Sequence, residues 1–285
     1  MTSVSFQFLK AGYCSNHEGF MIEGGSFRKK MEFPCTFGLI QHPKHGNILF
    51  DTGYSSHFHE ATKSYPEKLY AQVTPVTVKP EETSMAQLQK RGIAPEDVNY
   101  VIISHFHGDH ISALRDYPNA TFLTHSTAWK HFKSKKGIRA LVKAYLPALI
   151  PEDFEERLIF IDKPNNTVLL DKKYVFPTAH DFFEDGSLLF IELPGHCKGQ
   201  VGVLLKNENQ DEFFLIADAA WNKRNIEENK LPHLSTFIIH ENYKEYKSTL
   251  DKLHKMQIEN QQLKVLPCHC LETFKKYGVP CHDNN

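Results

Sequence analysis

The chain has 285 residues, of which 41% are hydrophobic and 24% are charged, so it can bury a substantial core and has the composition of a globular protein. Its 33 Lys and Arg residues nearly balance 34 Asp and Glu residues, which argues against a nucleic-acid partner because such proteins usually carry a basic excess or stripe. No apolar run is long enough to span a bilayer, and the N-terminus lacks the pattern of a secretory signal. We therefore expect a cytoplasmic location and no membrane partner.

The first third of the chain predicts strands, a long irregular region and one helix. The predicted strands cover 3–9, 35–40 and 47–51, residues 55–78 show no clear period, and a helix covers 81–90. The third strand ends in Asp51, beside a glycine that permits close approach of the backbone. Asp51 either orients a ligand histidine or caps a turn, and both interpretations stay open at this point.

A dense run of ligand-type residues, Ser-His-Phe-His-Gly-Asp-His at 104–110, follows a short buried strand. A loop at a strand end can direct its imidazoles and its carboxylate into one volume, so His105 and His107 can face one metal while Asp109 and His110 face a second. Imidazole suits zinc, cobalt, nickel and iron, and a carboxylate adds an oxygen ligand. The alternative is a polar surface loop, since the chain contains 17 His, but the density of the cluster favours a metal site.

Strands and helices alternate on both sides of this cluster, which predicts an α/β protein. Helices are predicted at 111–117 and 126–135, with a strand at 120–124 between them. Residues 137–154 form the most apolar helical stretch, interrupted by Pro147 and Pro151. This stretch is either part of the core or a pocket wall or lid over the metals.

From residue 158 onward the pattern predicts a second sheet, and several of its strands end in further candidate ligands. A strand at 187–193 leads to Pro194-Gly195-His196, one at 212–217 leads to Asp218, and one at 263–266 leads to Pro267-Cys268-His269. A lone His or Asp after a strand is a weak signal, but here the placement repeats. Two sheets packed face to face, with ligands at their strand ends, are therefore expected.

The six cysteines are too few for a disulfide framework in a chain of 285 residues. Cys268-His269-Cys270 could itself be a zinc motif, but it lacks the two-residue gap of the usual cysteine knuckle. We therefore favour His269 as the ligand, with the two cysteines as small apolar neighbours.

The ordered set of motifs resembles the metallo-β-lactamase superfamily over about residues 35–270. The motifs are Phe50-Asp51-Thr52-Gly53, His105-x-His107-x-Asp109-His110, Pro194-Gly195-His196, Asp218 and His269. The resemblance implies a four-layer αββα sandwich in one domain over 1–285, with the metal site at one edge of the packed sheets. Within the superfamily the chain is most similar to the N-acyl homoserine lactonase group, which is associated with quorum quenching.

This resemblance implies two divalent metal ions, expected to be zinc. His105, His107 and His196 would hold the first ion, and Asp109, His110 and His269 the second, with Asp218 bridging them. A hydroxide shared by the ions would then open a lactone or related ester. Asp109 would take up a proton as the tetrahedral intermediate collapses. The expected partner is a small-molecule substrate, and a homodimer is expected by analogy with related lactonases.

One position departs from the lactonase pattern. The lactonases carry a tyrosine three residues after the bridging aspartate, whereas this chain has Trp221. An indole N–H can donate a hydrogen bond but cannot act as an acid or base. Trp221 therefore either takes the place of the tyrosine at the substrate carbonyl or forms a wall of the pocket.

Four other functions remain open at the level of sequence. The same metals would serve a thioesterase resembling hydroxyacylglutathione hydrolase or a phosphodiesterase resembling ribonuclease Z. A non-catalytic scaffold that keeps its metals for stability is a further alternative, although all seven ligand residues are present. The fourth is a flavin-linked oxidoreductase with two iron ions at the same ligands, which normally needs an added flavin domain.

Overall fold

The structure, a computed structural model, describes residues 2–280, and Cys281 lies outside the described residues. Two sheets packed face to face form its centre. The first sheet contains β1 (Ser5–His17), β2 (Lys30–His42), β3 (Gly46–Phe50), β4 (Val76–Thr77), β5 (Val98–Ile102), β6 (Thr121–Thr124) and β7 (Leu158–Phe160), in the spatial order β4-β1-β2-β3-β5-β6-β7. The second contains β8 (Thr167–Leu169), β9 (Thr178–Asp181), β10 (Leu188–Glu192), β11 (Val201–Lys206), β12 (Glu212–Ala217) and β13 (Lys264–Pro267), in the order β13-β12-β11-β10-β9-β8.

Most of the helices cover the outer faces of the sheets, whereas the last one packs Phe274 against the core between them. The helices are α1 (Glu18–Met21), α2 (Ser56–Ala61), α3 (Lys68–Val73), α4 (Ser84–Gln89), α5 (Gly108–Ile111), α6 (Ser126–Ser134), α7 (Ile138–Val142), α8 (Lys223–Glu227), α9 (Tyr243–Glu259) and α10 (Leu271–Tyr277). None of the helices within 2–280 is both long enough and apolar enough to cross a membrane.

Three apolar cores separate four layers, so the predicted αββα architecture is confirmed. One core lies between the first sheet and its helices and includes Phe106 and Trp129. The middle core, between the sheets, includes Ile48 and Phe190. The third lies between the second sheet and α8 and α9 and includes Leu253. Apolar residues on both faces of the central strands follow from this layering, because each sheet is covered on both sides.

Parallel pairing brings the candidate ligands to one edge of the sandwich. β3 pairs in parallel with β5 in the first sheet, and β12 pairs in parallel with β13 in the second. Since parallel strands end at the same edge of their sheet, the loop after β3 meets the loop after β5, and the loop after β12 meets the loop after β13.

The region predicted as a helical pocket segment at 137–154 is less regular than expected. It contains α7 and a short 3-10 helix at Pro147–Leu149. Between them Ala144 adopts a positive φ of 55°, which stops the α-helix. The adjacent Tyr145 forms a β-bridge with His107, so the backbone after α7 is fixed directly against the ligand cluster.

Candidate metal centre

The structure brings together every residue that the sequence predicted for the site. His105, His107, Asp109 and His110 occupy the loop after β5 and the first turn of α5, while the other three follow strands of the second sheet: His196 comes after β10, Asp218 after β12 and His269 after β13. All seven side chains are buried. The centre is therefore made by both sheets at the edge where their strand ends meet.

The first group of nitrogen atoms comes from His105, His107 and His196. His196 Nε2 lies 3.0 Å from His107 Nδ1, and the ring centroid of His105 lies 4.7 Å from that of His107 and 4.9 Å from that of His196. Ligands bonded at about 2.1 Å in a tetrahedral arrangement stand roughly 3.4 Å apart. The spacing of these three imidazoles therefore suits one metal ion.

The second group comes from Asp109, His110 and His269. Asp109 Oδ2 lies 3.4 Å from His110 Nε2 and 3.1 Å from His269 Nε2. These distances again match the spacing of donors around a single ion.

Asp218 lies between the two groups and presents one oxygen atom to each. Its Oδ1 lies 3.4 Å from Nε2 of both His110 and His269. Its Oδ2 lies 3.1 Å from His196 Nε2 and 3.9 Å from His105 Nε2. A carboxylate in this position can contribute to both groups at once.

Hydrogen bonds behind the histidines fix which nitrogen faces the centre. His110 Nδ1 lies 2.7 Å from Asp51 Oδ2, and His269 Nδ1 lies 2.9 Å from the Pro34 carbonyl oxygen. Because both partners accept, each Nδ1 carries the proton and each Nε2 points inward. Asp51 also accepts from the N–H and hydroxyl of Ser104, at 2.9 and 2.8 Å. Asp51 thus orients a histidine, which decides between the two roles that the sequence left open.

The electrostatics of the centre are those of a site built for cations. Burial lowers the pKa of His107 to about 3, so this imidazole is neutral and can offer a lone pair. Burial alone would raise the pKa of Asp109, but His110 and His269 outweigh it and hold that pKa well below its usual range. Burial would likewise lower the pKa of His110, but the carboxylates of Asp109, Asp51 and Asp218 raise it well above normal.

These properties fit divalent metal ions. In the absence of an ion, protonated imidazoles supply the positive charge that the buried carboxylates require. The Nε2 atom of His105 is buried and has no hydrogen-bond partner. Buried polar nitrogens without partners are costly unless something binds them. The set of imidazoles and carboxylates is the type that zinc prefers.

Trp221 lies beside the centre and uses its N–H within the protein. The indole Nε1 donates to Asp218 Oδ2 at 3.0 Å, and the ring lines the adjoining cavity. Its N–H is therefore directed at the shared carboxylate, while its ring forms part of a wall.

The two cysteines next to His269 differ from one another. Cys270 Sγ accepts from the Thr273 N–H at 3.4 Å and caps α10, but the Cys268 thiol donates to Asp218 Oδ1 at 2.6 Å. The expectation that both cysteines are merely apolar neighbours is therefore wrong for Cys268, because its thiol contacts the centre.

A cavity of about 630 Å³ opens onto the centre, where His107, Asp109, Asp218 and His269 form its floor. Its walls are mainly apolar and come from Trp221 and from four segments of chain. The predicted pocket segment at 137–154 supplies Ile138, Leu141, Val142 and Ala144, and the region 55–78, with Tyr54 just before it, supplies Leu69, Tyr70, Val73 and Thr74. Two were missed, and they supply Cys14, Asn16, Phe20, Met21 and Phe33 from the first hairpin and Ser235, Thr236, Ile238 and Ile239 from the loop before α9. Only the scattered apolar residues of these segments could have indicated this role.

Comparison with known proteins agrees with this geometry. A family model described as the metallo-beta-lactamase superfamily matches residues 31–261. The N-acyl homoserine lactonase AttM of Rhizobium radiobacter is 28% identical over 243 residues, which is 81% of this chain and 82% of the relative. The solved structure of an N-acyl homoserine lactone hydrolase, with the product N-hexanoyl-L-homoserine at its catalytic metal center, superposes with a TM-score of 0.72 at 18% identity, over 98% of each chain. AidC, a dizinc quorum-quenching lactonase, superposes with a TM-score of 0.61 at 17% identity, over 95% of this chain and 92% of that one.

The contact between Asp51 and His110 yields a testable prediction. In Asp51→Asn the amide oxygen can keep the Ser104 N–H, which leaves the amide N–H₂ facing His110 Nδ1 and favours the proton on the inward Nε2. We expect affinity for the second zinc equivalent to fall about 10- to 100-fold, as measured by competition with a chromophoric chelator.

A matched control is Asp116→Asn, since Asp116 Oδ1 lies 2.8 Å from His57 Nε2 outside the candidate centre. That variant should bind zinc like the unmodified protein. Equal affinities in the two variants would contradict the role given to Asp51.

Proposed function

The chain belongs to the metallo-beta-lactamase superfamily, and on that premise we propose that it is a dinuclear metal-dependent hydrolase that opens lactones or related esters, of the N-acyl homoserine lactone type. The observation that carries the proposal is an apolar cavity whose floor consists of candidate metal ligands. The similarity to a named lactonase over most of both chains supports a lactone ester as the bond that is hydrolysed.

The distances between donor atoms divide the proposed ligands into two groups, one for each metal ion. His105, His107 and His196 would hold the first ion, Asp109, His110 and His269 would hold the second, and Asp218 would contribute to both. Two zinc-type cations lower the pKa of a coordinated water enough to supply a nucleophile at neutral pH, and they polarise the scissile carbonyl.

Asp109 is proposed as the group that moves the proton. Its carboxylate lines the cavity, and His110 and His269 hold its pKa well below the usual range despite burial, so it is ionised. In ring opening the attacking water loses a proton and the departing alkoxide gains one. A carboxylate at the floor of the cavity can take the first proton and return it to the leaving oxygen.

The shape and polarity of the cavity support a substrate with an apolar acyl chain. Five of the residues that line it, Leu69, Val73, Ile138, Val142 and Ile238, are large hydrophobic side chains exposed to solvent. Exposed apolar side chains grouped around one opening are typical of ligand sites. The segment at 137–154 contributes to this wall, which supports the proposal that it is a pocket segment.

The residues that line the cavity also help to judge the two alternative substrates, a phosphodiester and a thioester. No Lys or Arg is found among the described residues that line the cavity, whereas phosphodiester substrates are usually held by such cations. A thioester remains the nearer alternative, because its acyl group would be bound by the same walls. The homodimer and the cytoplasmic location stay predictions.

A substrate panel tests the proposal. The zinc-loaded protein should release acid from N-decanoyl homoserine lactone, lose that activity on chelation and regain it with zinc. Since a buried methylene contributes about 0.8 kcal/mol, kcat/KM for this lactone should exceed that for γ-butyrolactone by more than about tenfold. S-lactoylglutathione and bis(p-nitrophenyl) phosphate serve as thioester and phosphodiester controls. If either control were hydrolysed and the lactone were not, the proposed lactone substrate would be wrong and the class of that control would take its place.

Trp221 is proposed to position Asp218 and to form a wall, so Trp221→Phe should keep the wall and lose the donor. Loss of a hydrogen bond to a charged acceptor costs about 1.5 kcal/mol, so we expect kcat to fall about tenfold while KM for the lactone changes little. Steady-state kinetics measure the effects on kcat and on KM separately.

Trp129→Phe is the matched control, because Trp129 is buried against Phe106 and Phe132 on the helical side of the first sheet and does not line the cavity. Its kcat should equal that of the unmodified protein. An unchanged kcat in Trp221→Phe would show that the N–H is dispensable.

A further inference from the structure

The Cys268 thiol lies among the atoms proposed to bind the second metal ion. Its Sγ is 2.6 Å from Asp218 Oδ1, the oxygen that lies 3.4 Å from Nε2 of both His110 and His269. The ligand atoms of these four residues all lie within 4.8 Å of one another, and all four side chains are buried. The thiol therefore lies on the side of the histidines that faces the centre.

Cys197 is also close to a ligand histidine but lies behind it. Its Sγ is 3.5 Å from His107 Nε2, whereas the other ring nitrogen, Nδ1, faces His196 Nε2 at 3.0 Å. The ligand atoms of Cys197, His105, His107 and His196 also lie within 4.8 Å of one another. However, the two nitrogens of an imidazole point in different directions, so a metal bound at Nδ1 lies on the side of the ring away from this sulfur. Cys197 therefore supports the ring without contributing a ligand atom.

Cys35 occupies a similar outer position near His269. Its Sγ is 3.9 Å from His269 Nδ1, the nitrogen that contacts the Pro34 carbonyl oxygen at 2.9 Å. It is also 3.9 Å from Asp109 Oδ2. It lies beside the second group, further from its carboxylate oxygen than Cys268 lies from Asp218.

We propose that Cys268 Sγ is a ligand of the second metal ion, together with Asp109, His110, Asp218 and His269. This inference rests on the proposed function, because it presumes the metal pair. When the ion binds, the thiol releases its proton to solvent, and a metal–sulfur bond replaces the S–H···O hydrogen bond to Asp218. The sulfur and the carboxylate oxygen then separate to share the ion.

Charge and donor type both favour this arrangement. Two dications bring four positive charges to a buried centre, and the ligand carboxylates Asp109 and Asp218 supply two negative charges. A thiolate reduces the remaining excess, which buried sites otherwise tolerate poorly. Thiolate is also a soft ligand, so the second position would select zinc or cobalt over magnesium or manganese.

X-ray absorption at the zinc edge tests the proposal on the unmodified, zinc-loaded protein. A zinc–sulfur bond of about 2.3 Å is distinct from zinc–nitrogen and zinc–oxygen bonds of about 2.0–2.1 Å. We expect one sulfur neighbour for every two zinc ions. In the cobalt-substituted protein, the same bond should give a near-ultraviolet charge-transfer band that nitrogen and oxygen ligands do not give.

Cysteine-to-serine variants identify which cysteine provides the sulfur neighbour. Cys268→Ser should bind two metal ions but lose the sulfur neighbour and the charge-transfer band, whereas Cys197→Ser and Cys35→Ser should keep both. Two zinc ions without a sulfur neighbour in the unmodified protein would overturn this inference and leave the proposed function standing. A sulfur signal that persists in Cys268→Ser would also overturn it, and a protein that binds no zinc would overturn both.

Discussion

The carboxylate of Asp218 is the group on which the arrangement of the centre depends. One of its oxygens faces the nitrogens of His110 and His269, and the other faces those of His196 and His105. It follows β12 in the second sheet, whereas His105 and His110 follow β5 in the first. A charge buried at this junction is tolerable only if cations surround it, so metal binding and the packing of the two sheets are coupled at one edge of the fold.

Much of the candidate metal centre could be predicted from the sequence, because the ligands follow strands whose apolar runs are easy to recognise. The run at 104–110 follows β5, Asp218 follows β12 and His269 follows β13, and each pattern survives in a single sequence since the strands are buried on both faces. The alternation of strands and helices predicted an α/β protein, and the family resemblance implied the αββα layering. What the sequence could not supply was the pairing of β12 with β13 and of β3 with β5, which brings the loops together.

The parts that escaped prediction depend on contacts between distant segments. The cavity wall at Phe20, Phe33 and Ile239 comes from α1, from β2 and from the end of a short 3-10 helix, none of which the sequence pattern indicated. β9 (Thr178–Asp181) was missed because its four residues include a His and an Asp. The position of the Cys268 thiol against Asp218 joins residues 50 positions apart, and no local pattern distinguishes it from Cys270. Similarly, the sequence could not show whether Trp221 donates a hydrogen bond or only forms a wall of the pocket, and the structure shows that it donates to Asp218.

The most direct test of the central claim is anomalous scattering at the zinc edge from crystals of the zinc-loaded protein. We expect two peaks, one on either side of the Asp218 carboxylate. The first should contact His105 Nε2, His107 Nδ1 and His196 Nε2, and the second should contact Nε2 of His110 and of His269. A single peak, or peaks away from these nitrogens, would contradict the central claim.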